Sequence, residues 1–320
     1  MSPRRAIVLG GGGVLGGTWA VGALVALERS FGFDARTADI LVGTSAGALI
    51  ASMLGAGVTP EQLRQRYGDE PVEAGPLAGL AWDSDAAVGG RRPGTPRDLL
   101  PGSLGLLGHG LRRDTRLPAT ALVAGLMPRG GRTMAGIGRL VDAVSPIGEW
   151  SAHPACWIVA MDYRTGHREV FGRPGAPTAP LSSAVMASCS IPGWFAPVEI
   201  NDRPYVDGGA VSSTNIDVLE HEGLDEVYVI APMVSFSTDR PSALSARLER
   251  RWREEVTRAC LAEADLVERA GAIVHVIGPG ADDLAAMGAN LMDATRRRHV
   301  LDTSMRTSAT AWNQQCTSQH

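Results

Sequence analysis

Two apolar runs dominate the N-terminal part of the chain. Residues 6–27 (AIVLGGGGVLGGTWAVGALVAL) carry no charge and follow MSPRR. By length and flanks they imitate a signal peptide or a membrane-spanning helix. Their interior argues otherwise: Gly10 to Gly13, Gly16 and Gly17 would fray a helix, at about 1 kcal/mol each relative to Ala. The pattern predicts a buried strand at Ala6–Leu9, a glycine loop, and a buried helix over about Thr18–Ser30. Residues 40–58 (ILVGTSAGALIASMLGAGV) repeat the pattern as strand, tight turn and helix. Further on, ACWIVAMDYRTGHREVFG reads as a strand, a turn at Arg164–Thr165–Gly166, and a second strand. Asp225–Pro232 and Ala272–Ile277 are short apolar strands suited to burial on both faces. Residues 242–271, rich in Arg, Glu, Ala and Leu, read as a long helix. Strands alternating with helices imply an α/β layered domain with a mostly parallel sheet.

Residues 68–150 break this rhythm. They are rich in Gly and Pro, and LLPGSLGLLGHGLRRDTRLPATALVAGLM mixes apolar clusters with Arg112, Arg113 and Arg116. Such a segment reads as a lid or binding loop, or as an insertion packed on its own domain. Its apolar–basic mix also suits contact with an anionic membrane surface. The 320 residues suffice for one large α/β domain with its own core.

Composition removes several functions. Apolar residues make up 44% and charged residues 20%, which excludes a disordered chain or a coiled coil. A net charge of −4 argues against a general nucleic-acid binder. All 30 basic residues are Arg. Without Lys there is no Walker A phosphate loop, no pyridoxal Schiff base and no kinase-type lysine. Cys156, Cys189, Cys260 and Cys316 are far apart, with no CxxC pair, so free thiols in a reducing compartment are expected. The seven histidines form no metal-binding pattern, and no cofactor or metal is expected. Location is expected to be cytoplasmic, with peripheral membrane contact as an option. Nothing in the sequence bears on the oligomeric state.

Three short stretches carry candidate chemistry. Gly43-Thr44-Ser45-Ala46-Gly47 is a GxSxG at the end of a predicted strand and the start of a helix, the context of a nucleophile elbow. A sharp turn there lifts the serine hydroxyl out of the sheet, beside the positive end of the helix dipole. Gly10–Gly13 and Gly16–Gly17 follow the first strand, where consecutive glycines can turn amide N–H groups toward an anion. Gly11-x-Gly13-x-x-Gly16 also fits a dinucleotide fingerprint, an oxidoreductase reading. That reading wants an acidic residue closing the second strand, which here ends in Leu41-Val42-Gly43. The third stretch is Asp207-Gly208-Gly209. A Ser-His-Asp hydrolase would draw on Asp207 with His221, His275 or His299, but Ser45 lies too early in the chain and no HGGG precedes it.

Together GGGGVLGG, GTSAG and DGG, in this order, resemble the patatin-like phospholipase family. The stretch ASCSIPGWFAPVEINDRPYVDGG is similar to that family's approach to its catalytic Asp. The resemblance runs from about Ile7 to Asp293 and is weakest across 68–150. It implies a three-layer α/β/α patatin-like fold over residues 1–320, with 68–150 as a lid-like insertion. It also implies a lipid acyl hydrolase acting on phospholipid or lysophospholipid esters. Ser45 and Asp207 would form a catalytic dyad and Gly11, Gly12 and Gly13 an oxyanion hole, with Gly43, Gly47, Gly208 and Gly209 supporting the motifs. One position departs: the family usually carries Arg or Lys where this chain has Leu15. That exchange removes a cation from the loop and points to lower activity or a less anionic substrate. A weakly active lipid-binding or regulatory protein is the alternative it keeps open. Asn290–Asp293 and the run Arg296–Arg298 resemble a C-terminal helix of bacterial members. The arginines read as a solvated helix end, or as contacts to phosphate head groups. Cys189 reads as packing near the site wall.

Overall fold

In a computed structural model, residues 3–80, 90–91, 102–110, 117–236 and 244–317 are described. Arg112, Arg113 and Arg116, on which part of the lid expectation rested, lie outside them, as does the side chain of Cys316. The strands are β1 (Arg5–Leu9), β2 (Ile40–Thr44), β3 (Gly90–Arg91), β4 (Arg132–Thr133) and β5 (Cys156–Asp162), then β6 (Arg168–Phe171), β7 (Val198–Ile200), β8 (Arg203–Asp207), β9 (Glu226–Ile230) and β10 (Ile273–Ile277). The helices are α1 (Gly13–Phe31), α2 (Ala46–Gly55), α3 (Pro60–Tyr67), α4 (Leu104–Gly110) and α5 (Ala119–Leu126), then α6 (Ala135–Val144), α7 (Leu181–Ser188), α8 (Leu244–Arg269), α9 (Ala281–Met287) and α10 (Arg297–Thr317).

The main sheet has the order β10-β9-β1-β2-β5-β8-β7, with β6 on β5. From β10 to β5 every neighbour is parallel, whereas the pairings β5–β6, β5–β8 and β8–β7 are antiparallel. Side chains alternate across the pleat into two cores. Ile7, Leu9, Leu41 and Ile230 face the core shared with α1, α2 and α10. Ala6, Val8, Val42 and Val229 face the core that Cys260, Ala264 and Val267 of α8 complete. Both parities are therefore apolar, which is why these strands read as unbroken hydrophobic runs. The fold is α/β with a mostly parallel central sheet between helical layers. No described helix is long and apolar enough to cross a membrane. Both apolar runs are strand–helix units of the core.

Helix α1 starts five residues before the predicted Thr18. Glycine is a poor helix former, but tertiary contacts hold this end. The Leu15 N–H donates to the Leu291 carbonyl at 2.9 Å, and Gly16 packs against the Pro232 ring. The other end closes as the sequence suggests, with Gly32 left-handed at φ 67° and its N–H on the Glu28 carbonyl. Within 68–150, α5 packs with α4 over Met161, Tyr163 and Val206 of the sheet, and α6 joins the first core through Ile137 and Val141.

Candidate active site

Strand β2 runs straight into α2, and Ser45 is the hinge, at φ 55° and ψ −124°. A side chain in this left-handed region costs on the order of 1–3 kcal/mol, so its surroundings must hold it there. They do so on both sides. The Ser45 N–H donates to Ser188 Oγ at 2.8 Å, and that hydroxyl donates to the Val159 carbonyl at 2.6 Å. The Ser45 carbonyl accepts from Ala48 N–H at 2.8 Å and from Cys189 Sγ at 3.2 Å. Gly47 is dictated by contact: a Cβ there would sit 2.0 Å from the Leu9 carbonyl oxygen. Gly43 lies within β2, paired with Leu9 and Ile158.

Sheet register brings Asp207 to this hinge. Strand β5 pairs with β2 as far as Thr44↔Val159. The next residue, Ala160, pairs with Asp207 of β8. Because β6 occupies the opposite side of β5, β8 continues the edge that β2 leaves. Two strands 160 residues apart in sequence thus abut end to end, and their end residues face each other. Ser45 Oγ donates to Asp207 Oδ2 at 2.6 Å, and Gly209 N–H donates to Oδ1 at 2.7 Å. Gly208 opens the short 3-10 turn that follows. Both Ser45 and Asp207 are about 95% buried, at 6% and 5% exposure. Burial pushes the Asp207 carboxyl up to about 6 against the pull of its two hydrogen bonds.

The glycine loop lies against the same hinge: a Cβ on Gly11 would come 3.1 Å from the Ser45 Cβ. Of the three amides expected to face an anion, Gly11 N–H is already committed to the Ser213 carbonyl at 2.9 Å. It anchors the loop and is not free to face an anion in this structure. Gly12 and Gly13 N–H groups have no acceptor among the described residues. They open α1, with Gly13 at φ 63°, which suits only glycine. Two helix N-termini, of α1 and α2, therefore present their positive ends at Ser45.

Several contributors have no local sequence signature. Asn215 Nδ2 donates to Thr44 Oγ1 at 3.0 Å and so ties the 208–215 loop to the end of β2. A cavity beside Ser45 is lined by Leu49, Tyr67, Met134, Ile137, Phe195 and Met292, with Cys189 and Arg297. Cys189 is in the wall, as expected, and its burial raises the thiol pKa. Arg297 departs from the solvated-end reading: it is 8% exposed and pairs with Asp69 at 2.8 Å. Leu15 is fully buried.

The rival readings lose their parts. Asp39 accepts from Arg5 N–H, and Asp34 caps a 3-10 turn, so neither waits for a ribose at the end of β2. No described histidine lines the cavity. His275 stacks on Tyr228 at 5.0 Å, and burial lowers its pKa.

Among solved structures, VipD from Legionella pneumophila is similar at 14% identity and a TM-score of 0.46, covering 98% of this chain and 67% of that one. The type III effector protein ExoU is similar at 16% identity and a TM-score of 0.34, covering 98% and 53%. Residues 7–220, which span the glycine loop, the Ser45 hinge and Asp207, match the patatin-like phospholipase family. With two thirds of its length inside that match, the chain belongs to the patatin-like phospholipase family.

Proposed function

We propose that the protein is a serine acyl hydrolase that cleaves phospholipid or lysophospholipid esters through Ser45 and Asp207. The observation that carries this reading is the 2.6 Å hydrogen bond between Ser45 Oγ and a buried Asp207 carboxylate, at a strained hinge facing a mostly apolar cavity. Asp207 takes the hydroxyl proton as Ser45 Oγ attacks the ester carbonyl carbon. The carbonyl oxygen becomes an oxyanion and accepts from Gly12 and Gly13 N–H, each donor contributing roughly 3 kcal/mol in related acyl transfer. Collapse breaks the ester C–O bond, and the leaving alcohol takes the proton from Asp207. Asp207 then deprotonates a water that attacks the acyl-Ser45 ester. Ser45 leaves with the returned proton, and the fatty acid departs. A carboxylate is a weak base for an alcohol. Burial, which lifts Asp207 to about 6, raises its basicity while leaving it mostly ionised at neutral pH.

Residues 1–320 act as one unit in this reading. Strands β9 and β10 lie beyond the family match yet extend the same sheet from β1. Segment 68–150 supplies the cavity wall from α6, together with an outer face suited to a membrane surface. There Leu104, Val123, Leu126 and Met127 are exposed, as is Trp194 from outside the segment, whose ring lies 5.7 Å under the Arg132 guanidinium. Phe195 and Met134, in the cavity wall, follow directly on Trp194 and β4, so the apolar face leads into the site.

The test is fatty-acid release from phospholipid vesicles and lysophospholipid micelles by wild type, Ser45→Ala and Asp207→Asn. Release by wild type that is lost in both variants supports the dyad. Release retained in either variant, or none from folded wild type, overturns it.

A further inference from the structure

Arg297 stands outside the family-matched segment, yet its side chain lines the cavity together with Ser45. It is held there by packing. The segment before it is bound to the glycine loop: Leu15 N–H donates to Leu291 O, and a Cβ on Gly13 would lie 3.0 Å from Met292 Sδ. The guanidinium has five N–H donors. Among the described residues one is used, Nη2 to Asp69 Oδ1 at 2.8 Å. Nε is sealed from solvent with no acceptor among the described residues. Asp69 is a weak counter-charge, because its side chain is 61% exposed and water screens the pair. The charge acts inward as well: it opposes the rise that burial imposes on the Tyr67 phenol pKa in the same cavity wall. No cation comes from the glycine loop, where Leu15 is apolar and buried.

A nearly buried guanidinium whose Nε is sealed and whose described partner is one water-screened carboxylate is costly unless an anion completes it. The oxyanions that fit its planar fork are phosphate and carboxylate. We propose that Arg297 is a binding residue for the phosphate of the lipid substrate, so that the enzyme selects phosphate-bearing esters over neutral glycerides. This rests on the ester-hydrolase reading of Ser45. Asp69 holds the guanidinium in place and competes with the ligand for it.

The test uses the full chain and two esters that share an acyl chain, a lysophosphatidylglycerol and a monoacylglycerol. In Arg297→Gln, the ratio of kcat/KM for the phosphate-bearing ester to that for the neutral one falls about 10- to 100-fold, mainly through KM. Arg297→Lys keeps the charge without the fork and gives an intermediate ratio. Asp69→Asn keeps the Oδ1 acceptor, removes the competing charge and does not lower the ratio. An unchanged ratio in both Arg297 variants overturns the proposal. So does an Asp69→Asn variant that loses as much as Arg297→Gln, which is what a purely structural ion pair would give. A binding arm separates the two readings. On a Ser45→Ala background, an ether-linked lysophospholipid binds about 10- to 100-fold more weakly once Arg297 is Gln. That loss, alongside a wild type without ester hydrolysis, retains the anion site and overturns the hydrolase. Inorganic phosphate is titrated in parallel. If its binding depends on Arg297 while ether-lipid binding does not, the site belongs to free phosphate and the lipid assignment fails.

Discussion

Asp207→Asn separates what the carboxylate does for chemistry from what it does to stability. In the folded protein its pKa is raised from 3.8 to about 6, chiefly by burial. The native state therefore holds this proton more tightly than the unfolded chain does. The stabilisation this brings is complete below pH 3.8 and is lost as pH rises through about 6. A shift of about 2 units corresponds to about 3 kcal/mol, so above pH 6 the ionised carboxylate makes the fold weaker by that order. Asparagine has the same shape and stays neutral. Its oxygen can accept from Gly209 N–H, and its amide can donate to Ser45 Oγ, so both bonds survive. The variant is expected to match wild type near pH 4 and to gain on it between pH 4 and 6. Above that the gain levels at up to about 3 kcal/mol. For a chain of this length that is roughly 4 °C in Tm. Thermal melts followed by circular dichroism from pH 4 to 8 read it directly. A variant that melts below wild type at pH 8, or a difference independent of pH, would show that the ionised carboxylate does not weaken the fold. The same variant should have no turnover, which would make Asp207 a site where activity is held at the expense of stability.

Three other expectations follow from the same geometry. Because the proposed base works deprotonated, kcat/KM on a soluble ester should rise with pH through about 6 and then level off, and a flat profile from pH 4.5 to 8 would contradict it. Ser188→Ala leaves the Ser45 N–H without its acceptor and Val159 O without this donor. A stability loss of about 1–3 kcal/mol and a fall in kcat larger than any change in KM are expected, from denaturant titration and steady-state rates. Gly47→Ala puts a carbon 2.0 Å from backbone at Leu9 that cannot yield cheaply, so the urea midpoint should fall by the equivalent of several kcal/mol; an unchanged midpoint would show that the close approach is wrong.

Much of this is legible in the sequence because it is local. Strands β1, β2, β9 and β10 are short apolar runs, the turn between β5 and β6 announces itself at Arg164–Gly166, and GTSAG places Ser45 between strand and helix. Local propensity misleads at Gly13, where a helix starts because Leu291 and Pro232, far along the chain, receive the glycine loop. It is silent on β8, whose docking at the end of β2 depends on register within β5 and not on any pattern in RPYVD. Arg297 is the clearest case. An arginine run at a helix start looks solvated, yet this member is buried, pairs with Asp69, 228 residues away in sequence, and lines the cavity beside Ser45. Leu15 brings no cation to the glycine loop, and the arginine that lines the cavity comes from the other end of the chain. Within segment 68–150 the described helices α4, α5 and α6 have only 7, 8 and 10 residues, too few to show a sustained period.

The proposed chemistry requires Ser45 to be a nucleophile activated by Asp207. The most direct measurement is intact-mass and peptide mapping after reaction with a fluorophosphonate, which phosphonylates an activated serine. One adduct per chain is expected, on the peptide that carries Ser45, and it should be lost in Ser45→Ala. Asp207→Asn should slow its formation by orders of magnitude while the protein remains folded. An adduct on another serine, or equal rates with and without the Asp207 carboxylate, would contradict it.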